Sequence, residues 1–174
     1  RSEISFGQAI KGIPRDRFLI GTKVKPSNCY PDILVQHCND SLKRLLTDYI
    51  DIYMIHWPIH AHSIRFFTND EQVINNPPQL SEVYETLIRL KEKGKIRHFG
   101  VSNFGRKRLE QFSDLSNIAV NQVAYNLLCR AVEYDVLNYC DRHGIGVIGY
   151  MGLLQGILTG KFPTFDSIPP KRRR

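Results

Sequence analysis

No segment of this sequence is apolar over the ~20 residues that a membrane-spanning helix requires. The longest apolar runs, such as Ile145 to Leu154, fall well short of it, and no membrane partner is expected. The first residues lack the basic-then-apolar pattern of a secretory leader. The chain opens on Arg1 and not on Met, so an upstream segment is expected. Cysteine is scarce: Cys29, Cys38, Cys129 and Cys140 form neither a C-x-x-C pair nor zinc-finger spacing. Reduced, partly buried thiols are the expected state, and with them a cytoplasmic location. No G-x-G-x-x-G follows any apolar segment, which weakens a doubly wound dinucleotide-binding fold. His56 and His60 have the spacing of a metal pair on one helix face, but Pro58 between them argues against a helix. No metal site is expected there.

Acidic residues are outnumbered. Lys and Arg total 24 against 17 Asp and Glu, a net charge of +7, and Lys171 to Arg174 supply four of the positive charges. A basic run of this kind can mark a nucleic-acid patch. No aromatic side chains interleave with it, as a strand-binding groove would want. A solvated charge run is the simpler reading, without a nucleic-acid partner.

The 174 residues are enough for one domain that buries a core without disulfides or metal. Helix-like and strand-like segments alternate along them. Phe18 to Val24, Ile50 to Ile55, Ile96 to Val101, Ile118 to Tyr125 and Ile145 to Tyr150 read as five buried strands. Between them, residues 32–48, 81–94, 105–112 and 131–142 carry apolar side chains at helical spacing, and residues 2–12 read as a further helix ahead of the first strand. Ser81 is placed to cap one helix, and Gly94 and Gly144 to end two of them. Residues 59–80, with Asn75-Asn-Pro-Pro78, read as a long loop.

Strands this apolar are expected to lie parallel under helices. An open doubly wound sheet and a closed (β/α)₈ barrel compete. Lys23 and Tyr150, at the ends of the first and fifth strands, are separated by four repeats of about 32 residues, and eight such repeats need roughly the ~250 residues of a barrel. The expectation is an α/β fold, a partial TIM barrel with about five of eight β-α units, forming one incomplete domain over residues 1–174. Its free edges would be residues 18–24 and 145–150, and made alone it is expected to be poorly stable.

In parallel α/β folds, chemistry gathers where strands end. Those positions here hold Lys23, His56-Trp57, Ser102-Asn103, Gln122, Tyr125-Asn126 and Tyr150. Each has a plain structural reading. Lys23 can snorkel to solvent, His56 can be a satisfied core histidine, Ser102 and Asn103 can cap the next helix, and Tyr150 can simply pack. Gln122 is a polar side chain within an apolar strand and needs a partner.

Taken in order, Gly21-Thr-Lys-Val24, Asp51-Ile-Tyr-Met-Ile-His-Trp-Pro58, Lys91-Glu-Lys-Gly-Lys-Ile-Arg97, Gly100-Val-Ser-Asn-Phe104, Asn121-Gln-Val-Ala-Tyr-Asn126 and Gly156-Ile-Leu-Thr-Gly-Lys161 resemble the aldo-keto reductases over nearly the whole chain. That resemblance implies a (β/α)₈ barrel and an oxidoreductase that reduces aldehydes or ketones, small carbonyl substrates, with NADP or, alternatively, NAD as cofactor. The family uses an Asp-Tyr-Lys-His set, in which Tyr gives the proton and Lys, paired with Asp, lowers its pKa. Lys23 and His56 match that Lys and His. Ser102, Asn103 and Gln122 match the residues that hold the nicotinamide carboxamide, Tyr150 the aromatic that stacks on its ring, and Met151 and Leu153 the loop near the pyrophosphate. Trp57 would line the substrate pocket.

The sequence departs from the family in three ways. The family's Asp and Tyr precede the helix at residues 2–12, and no Tyr in residues 1–22 replaces that Tyr. The adenosine-binding segment would lie past Arg174. Tyr150-Met-Gly-Leu153 stands where Tyr-Ser-Pro-Leu is commoner. A fragment inactive alone is therefore expected, with a non-catalytic binding or regulatory subunit as the alternative.

Overall fold

A computed structural model of the chain describes residues 2–173. Its main elements are α1 (Ser2–Ala9), β1 (Gly21–Val24), α2 (Pro31–Leu45), β2 (Ile50–Ile55), α3 (Ala61–Ile64), α4 (Glu71–Asn75), α5 (Leu80–Glu92), β3 (Ile96–Ser102), α6 (Arg106–Leu109), β4 (Ile118–Ala124), α7 (Val136–Arg142) and β5 (Gly146–Tyr150). The five strands form one parallel sheet in the order β1-β2-β3-β4-β5, so each new strand joins the edge left by the last. This is the α/β repeat that the apolar spacing predicts.

Local sequence explains the two long helices. Pro31 opens α2 at a position where its missing N–H costs nothing, Asp32 sits in the first turn, and Lys43 and Arg44 sit in the last. Leu46 then turns left-handed at φ 56° and ends the helix. In α5, Val83, Leu87 and Leu90 recur along one buried face. That helix starts at Leu80 with Gln79 as its cap, two residues ahead of Ser81. Pro77 and Pro78 bar helix at Asn76 and Pro77, because a proline disfavours helix in the residue before it.

Period-two alternation splits the sheet into two faces. On one face Tyr53, Ile55, Phe99 and Val101 pack with Leu34, Cys38, Leu42 and Leu45 of α2 and with Val83, Leu87 and Leu90 of α5. The pairing register runs Lys23, Met54, Gly100, Val120, Gly146 across the other face, with Ser102, Gln122 and Ile148 in the row above. Gly100 lies where the β3–β4 register shifts. A Cβ there would stand 2.6 Å from both the Val120 carbonyl oxygen and its Cγ2, so the close approach of the two strands requires glycine.

Four expectations need correction. Residues 59–80 are not a continuous loop: they hold α3, whose cap His60 accepts from the Ser63 N–H through Nδ1, and α4, capped by Asp70 on the Gln72 N–H. Helices of one turn are too short to leave an apolar period. The first strand begins at Gly21 and not at Phe18, because the Ile20 N–H is taken by the Asp51 carboxylate at 2.8 Å. The helix expected at residues 131–142 starts at Val136, after a separate 3₁₀ turn over Ala131–Glu133. The strands are also not shielded on both faces. In the edge strand β5, Gly146, Val147 and Gly149 are exposed.

Among the described residues all four cysteines are free thiols, and Cys29, Cys38 and Cys140 are buried. No described helix is long and apolar enough to cross a membrane.

Candidate active site

Of the residues singled out at the strand ends, Lys23, His56, Ser102, Asn103, Gln122 and Tyr150 come together at the C-terminal end of the sheet, on the face away from α2 and α5. The Lys23 ammonium donates to the Gln122 Oε1 at 2.8 Å. Lys23 lies on β1 and Gln122 on β4, which in a flat sheet would be roughly 14 Å apart at ~4.8 Å per strand. Two extended side chains barely reach that far, so this face must be concave. Lys23 is half-buried, and burial lowers its pKa.

His56 follows β2 directly, and its N–H continues the ladder to the Val24 carbonyl at 2.9 Å. Its ring packs against Phe67, centroids 5.6 Å apart. Burial, reinforced by the neighbouring Lys23 and Lys25 charges, lowers the imidazole pKa, so the neutral ring prevails at pH 7.

Asn103 joins the strand ends. Its backbone is left-handed at φ 64°, a conformation that Asn tolerates better than most residues. Its N–H donates to the Gln122 carbonyl at 2.8 Å. Its Nδ2 donates to the His56 carbonyl at 3.1 Å and to Ser102 Oγ at 3.0 Å, and its Oδ1 accepts the Tyr150 hydroxyl at 2.7 Å. Burial, and then the nearby Cys129 thiol, push the Tyr150 hydroxyl up, which keeps it a donor.

The cavities divide this group in two. Lys23 and His56 line an opening of about 540 Å³ beside β1, together with Thr22, His37 and Arg44. Trp57, Asn103 and Tyr150 line a second cleft of about 370 Å³ with Phe104, Ala124 and Cys129. The hydrogen bonds through Gln122 and Asn103 connect them. Tyr53 does not complete the set: it is fully buried on the helix-packed face, and burial drives its phenol pKa far upward.

After β5 the backbone is left-handed at Met151 (φ 59°), Leu154 (φ 43°) and Gln155 (φ 54°), none of them glycine. Met151 and Leu153 are exposed there, and the Met151 carbonyl accepts from Asn126 Nδ2 at 3.0 Å. Asn126 is a structural residue, since its Oδ1 also caps the Leu128 and Cys129 N–H groups. Tyr125 turns away from the site and donates to Glu133 at 2.7 Å. Phe67, which sequence reasoning missed, joins His56 from the segment read as loop. The Phe66-Phe67 pair, in a segment of little periodicity, was the available signal.

The whole chain, residues 1–174, matches the aldo/keto reductase family. It belongs to that family. It is 33% identical over 186 residues to the NADH-specific methylglyoxal reductase of Escherichia coli, covering 97% of this chain and 53% of that protein. It is 34% identical to the aldo-keto reductase YhdN of Bacillus subtilis, covering 92% and 46%. An aldo/keto reductase from Klebsiella pneumoniae, solved in complex with NADP and acetate, superposes with a TM-score of 0.75 at 35% identity over 95% of this chain and 54% of that one. This aldo/keto reductase chain thus spans about half the length of the curated relatives it matches. The likeness to solved aldo/keto reductases agrees with the concave parallel sheet.

Proposed function

We propose that the protein carrying this chain is a carbonyl reductase that uses NADPH or NADH to turn a small aldehyde or ketone into an alcohol. The observation that carries this reading is the hydrogen-bonded set Lys23, Gln122, Ser102, Asn103 and Tyr150, with His56 beside it, at the C-terminal end of a parallel sheet. Methylglyoxal, named for the Escherichia coli relative, makes a small oxoaldehyde the first substrate to test.

The residues fit a nicotinamide carboxamide. Gln122 Oε1 is engaged by Lys23, which leaves its Nε2 to donate, and the Ser102 hydroxyl accepts from Asn103 and keeps its own hydrogen to give. Gln122, Ser102 and Asn103 would hold the carboxamide, Tyr150 would lie against the ring, and Met151 and Leu153 would approach the pyrophosphate. Bound there, the cofactor supplies the reducing equivalent.

The chain's own groups do the rest. Neutral His56 can donate a hydrogen bond to the substrate oxygen and polarise the carbonyl. Lys23 would place its positive charge beside the proton donor and lower that donor's pKa. Trp57 and Phe67 offer apolar walls that exclude water. Among the described residues the Lys23 ammonium bonds to an amide oxygen and not to a carboxylate, so we assign the proton-donating Tyr and its Asp, the family's other two groups, to residues outside this sequence. The 174-residue chain alone is then inactive.

The test follows NADPH absorbance with methylglyoxal and 4-nitrobenzaldehyde, for the full gene product and for residues 1–174. Turnover by the full product, lost in Lys23→Met and His56→Phe, supports the reading. Cofactor binding without turnover would favour a regulatory subunit, and equal turnover by the short chain would show that the proton donor lies within it.

A further inference from the structure

Lys23 and Gln122 have separate duties in the reading above, one toward the proton and one toward the carboxamide, yet they are bonded to each other. An ammonium group carries only donors. It can bond only the oxygen of a side-chain amide, so the 2.8 Å contact settles which end of the Gln122 amide faces β1. The oxygen faces Lys23, and the Nε2 donor is left to face the other way. Without such a partner a terminal amide turns freely between two nearly equivalent orientations.

The neighbours of Gln122 reinforce this polarity. Its backbone carbonyl accepts from the Asn103 N–H at 2.8 Å, which ties the end of β4 to β3. Ser102 is paired with it in the strand register and is buried at 1% exposure. Ser102 Oγ already accepts from Asn103 Nδ2, so it too has a donor to offer. Gly100, in the row between Lys23 and β4, has no side chain to block the crossing.

We infer that Lys23 is a positioning residue for cofactor recognition in addition to its part in proton chemistry: by holding the Gln122 oxygen, it presents the Gln122 N–H toward the carbonyl oxygen of the nicotinamide carboxamide. This rests on the reductase reading above. The mechanism is preorganisation. A Gln side chain already held in its binding orientation loses less freedom when the ligand arrives, which is worth roughly 3- to 10-fold in affinity.

The experiment measures dissociation constants on the full gene product by fluorescence, for NADPH and for 2′-phospho-ADP-ribose, which lacks the nicotinamide half. Lys23→Met is expected to weaken NADPH binding by roughly 3- to 10-fold and to leave 2′-phospho-ADP-ribose unchanged. Lys23→Arg, also donor-only, restores most of the loss. Gln122→Leu weakens NADPH as well, and adding Lys23→Met to it costs nothing more, because the bond is already gone. Gln122→Glu keeps a partner for Lys23 but offers no N–H, and also loses NADPH affinity. Unchanged NADPH affinity in Lys23→Met would overturn the inference, as would equal weakening of both ligands or additive losses in the double variant. Failure of the unmodified protein to bind NADPH at all would overturn the reductase reading with it.

Discussion

Replacing Asn103 by Gly and by Ala separates two contributions that the structure places in one residue. Both variants remove the side chain and its three hydrogen bonds, to the His56 carbonyl, to Ser102 Oγ and from the Tyr150 hydroxyl. At about 1 kcal/mol net for each bond, the common loss is roughly 2–3 kcal/mol, since partial solvent access lets water replace some of it. Only Ala also meets the left-handed backbone at φ 64°. A Cβ in that conformation costs roughly 1–2 kcal/mol that Gly does not incur, so Ala is expected to be the less stable of the two by about 1 kcal/mol. Gly returns part of that advantage through its floppier unfolded chain, about 0.5 kcal/mol. The assay is urea denaturation of the full gene product, with NADPH affinity measured in parallel. Both variants should weaken NADPH binding, because the Tyr150 ring and the end of β2 lose their common tie. Equal stability of Gly and Ala would refute the strain argument, and a loss below about 0.5 kcal/mol in both would refute the hydrogen-bond argument.

Asp51→Asn tests the opposite end of the sheet, where the buried carboxylate meets Arg15 at 2.5 Å and Arg97 at 3.6 Å; discounted for the half-exposed Arg97, a loss of about 2–3 kcal/mol in denaturation is expected. Burial raises the Asp51 pKa, but the Ile20 N–H and the two arginines outweigh it and leave it lowered, so its stabilisation is complete above the ordinary Asp range and is lost as pH falls through the depressed value; Asn should flatten that acid limb. Gly100→Ala forces a Cβ against the Val120 backbone and is expected to destabilise by about 1–3 kcal/mol, measured the same way. His56 is held below its usual pKa, so a rate that depends on the neutral ring should fall at a lower pH than an unperturbed imidazole would give; Lys25→Gln removes one repelling charge and should move that fall toward higher pH.

Some of this site was legible in the sequence and some was not, for reasons that differ by residue. Lys23, His56, Ser102, Gln122 and Tyr150 could be placed because apolar strands declare their ends, and period two then puts them on one face. The bond between Lys23 and Gln122 could not, because those residues are 99 apart and meet only through the sheet's curvature. The left-handed backbone at Asn103 leaves no local signal, since Asn serves equally well in caps and turns. Tyr125 is one of the strand-end positions where chemistry could gather, but its hydroxyl found Glu133 instead, eight residues on. The one-turn helices α3 and α4 rest on the single side-chain caps of His60 and Asp70, which no window of apolar residues records.

The strand order has a consequence for when the site forms. Among the described residues each strand after β1 pairs with the strand that precedes it in the chain, so each β-α unit can dock as soon as it leaves the ribosome, at the modest loop cost of about thirty residues. The bonds that make the site do not follow that schedule. The Tyr150 bond waits for β5, 47 residues after Asn103, and the Lys23 bond waits for β4, 99 residues after β1. The scaffold therefore assembles ahead of the chemistry. During synthesis Lys23 emerges 99 residues before Gln122, so its ammonium stays hydrated, without this bond, until the fourth strand arrives.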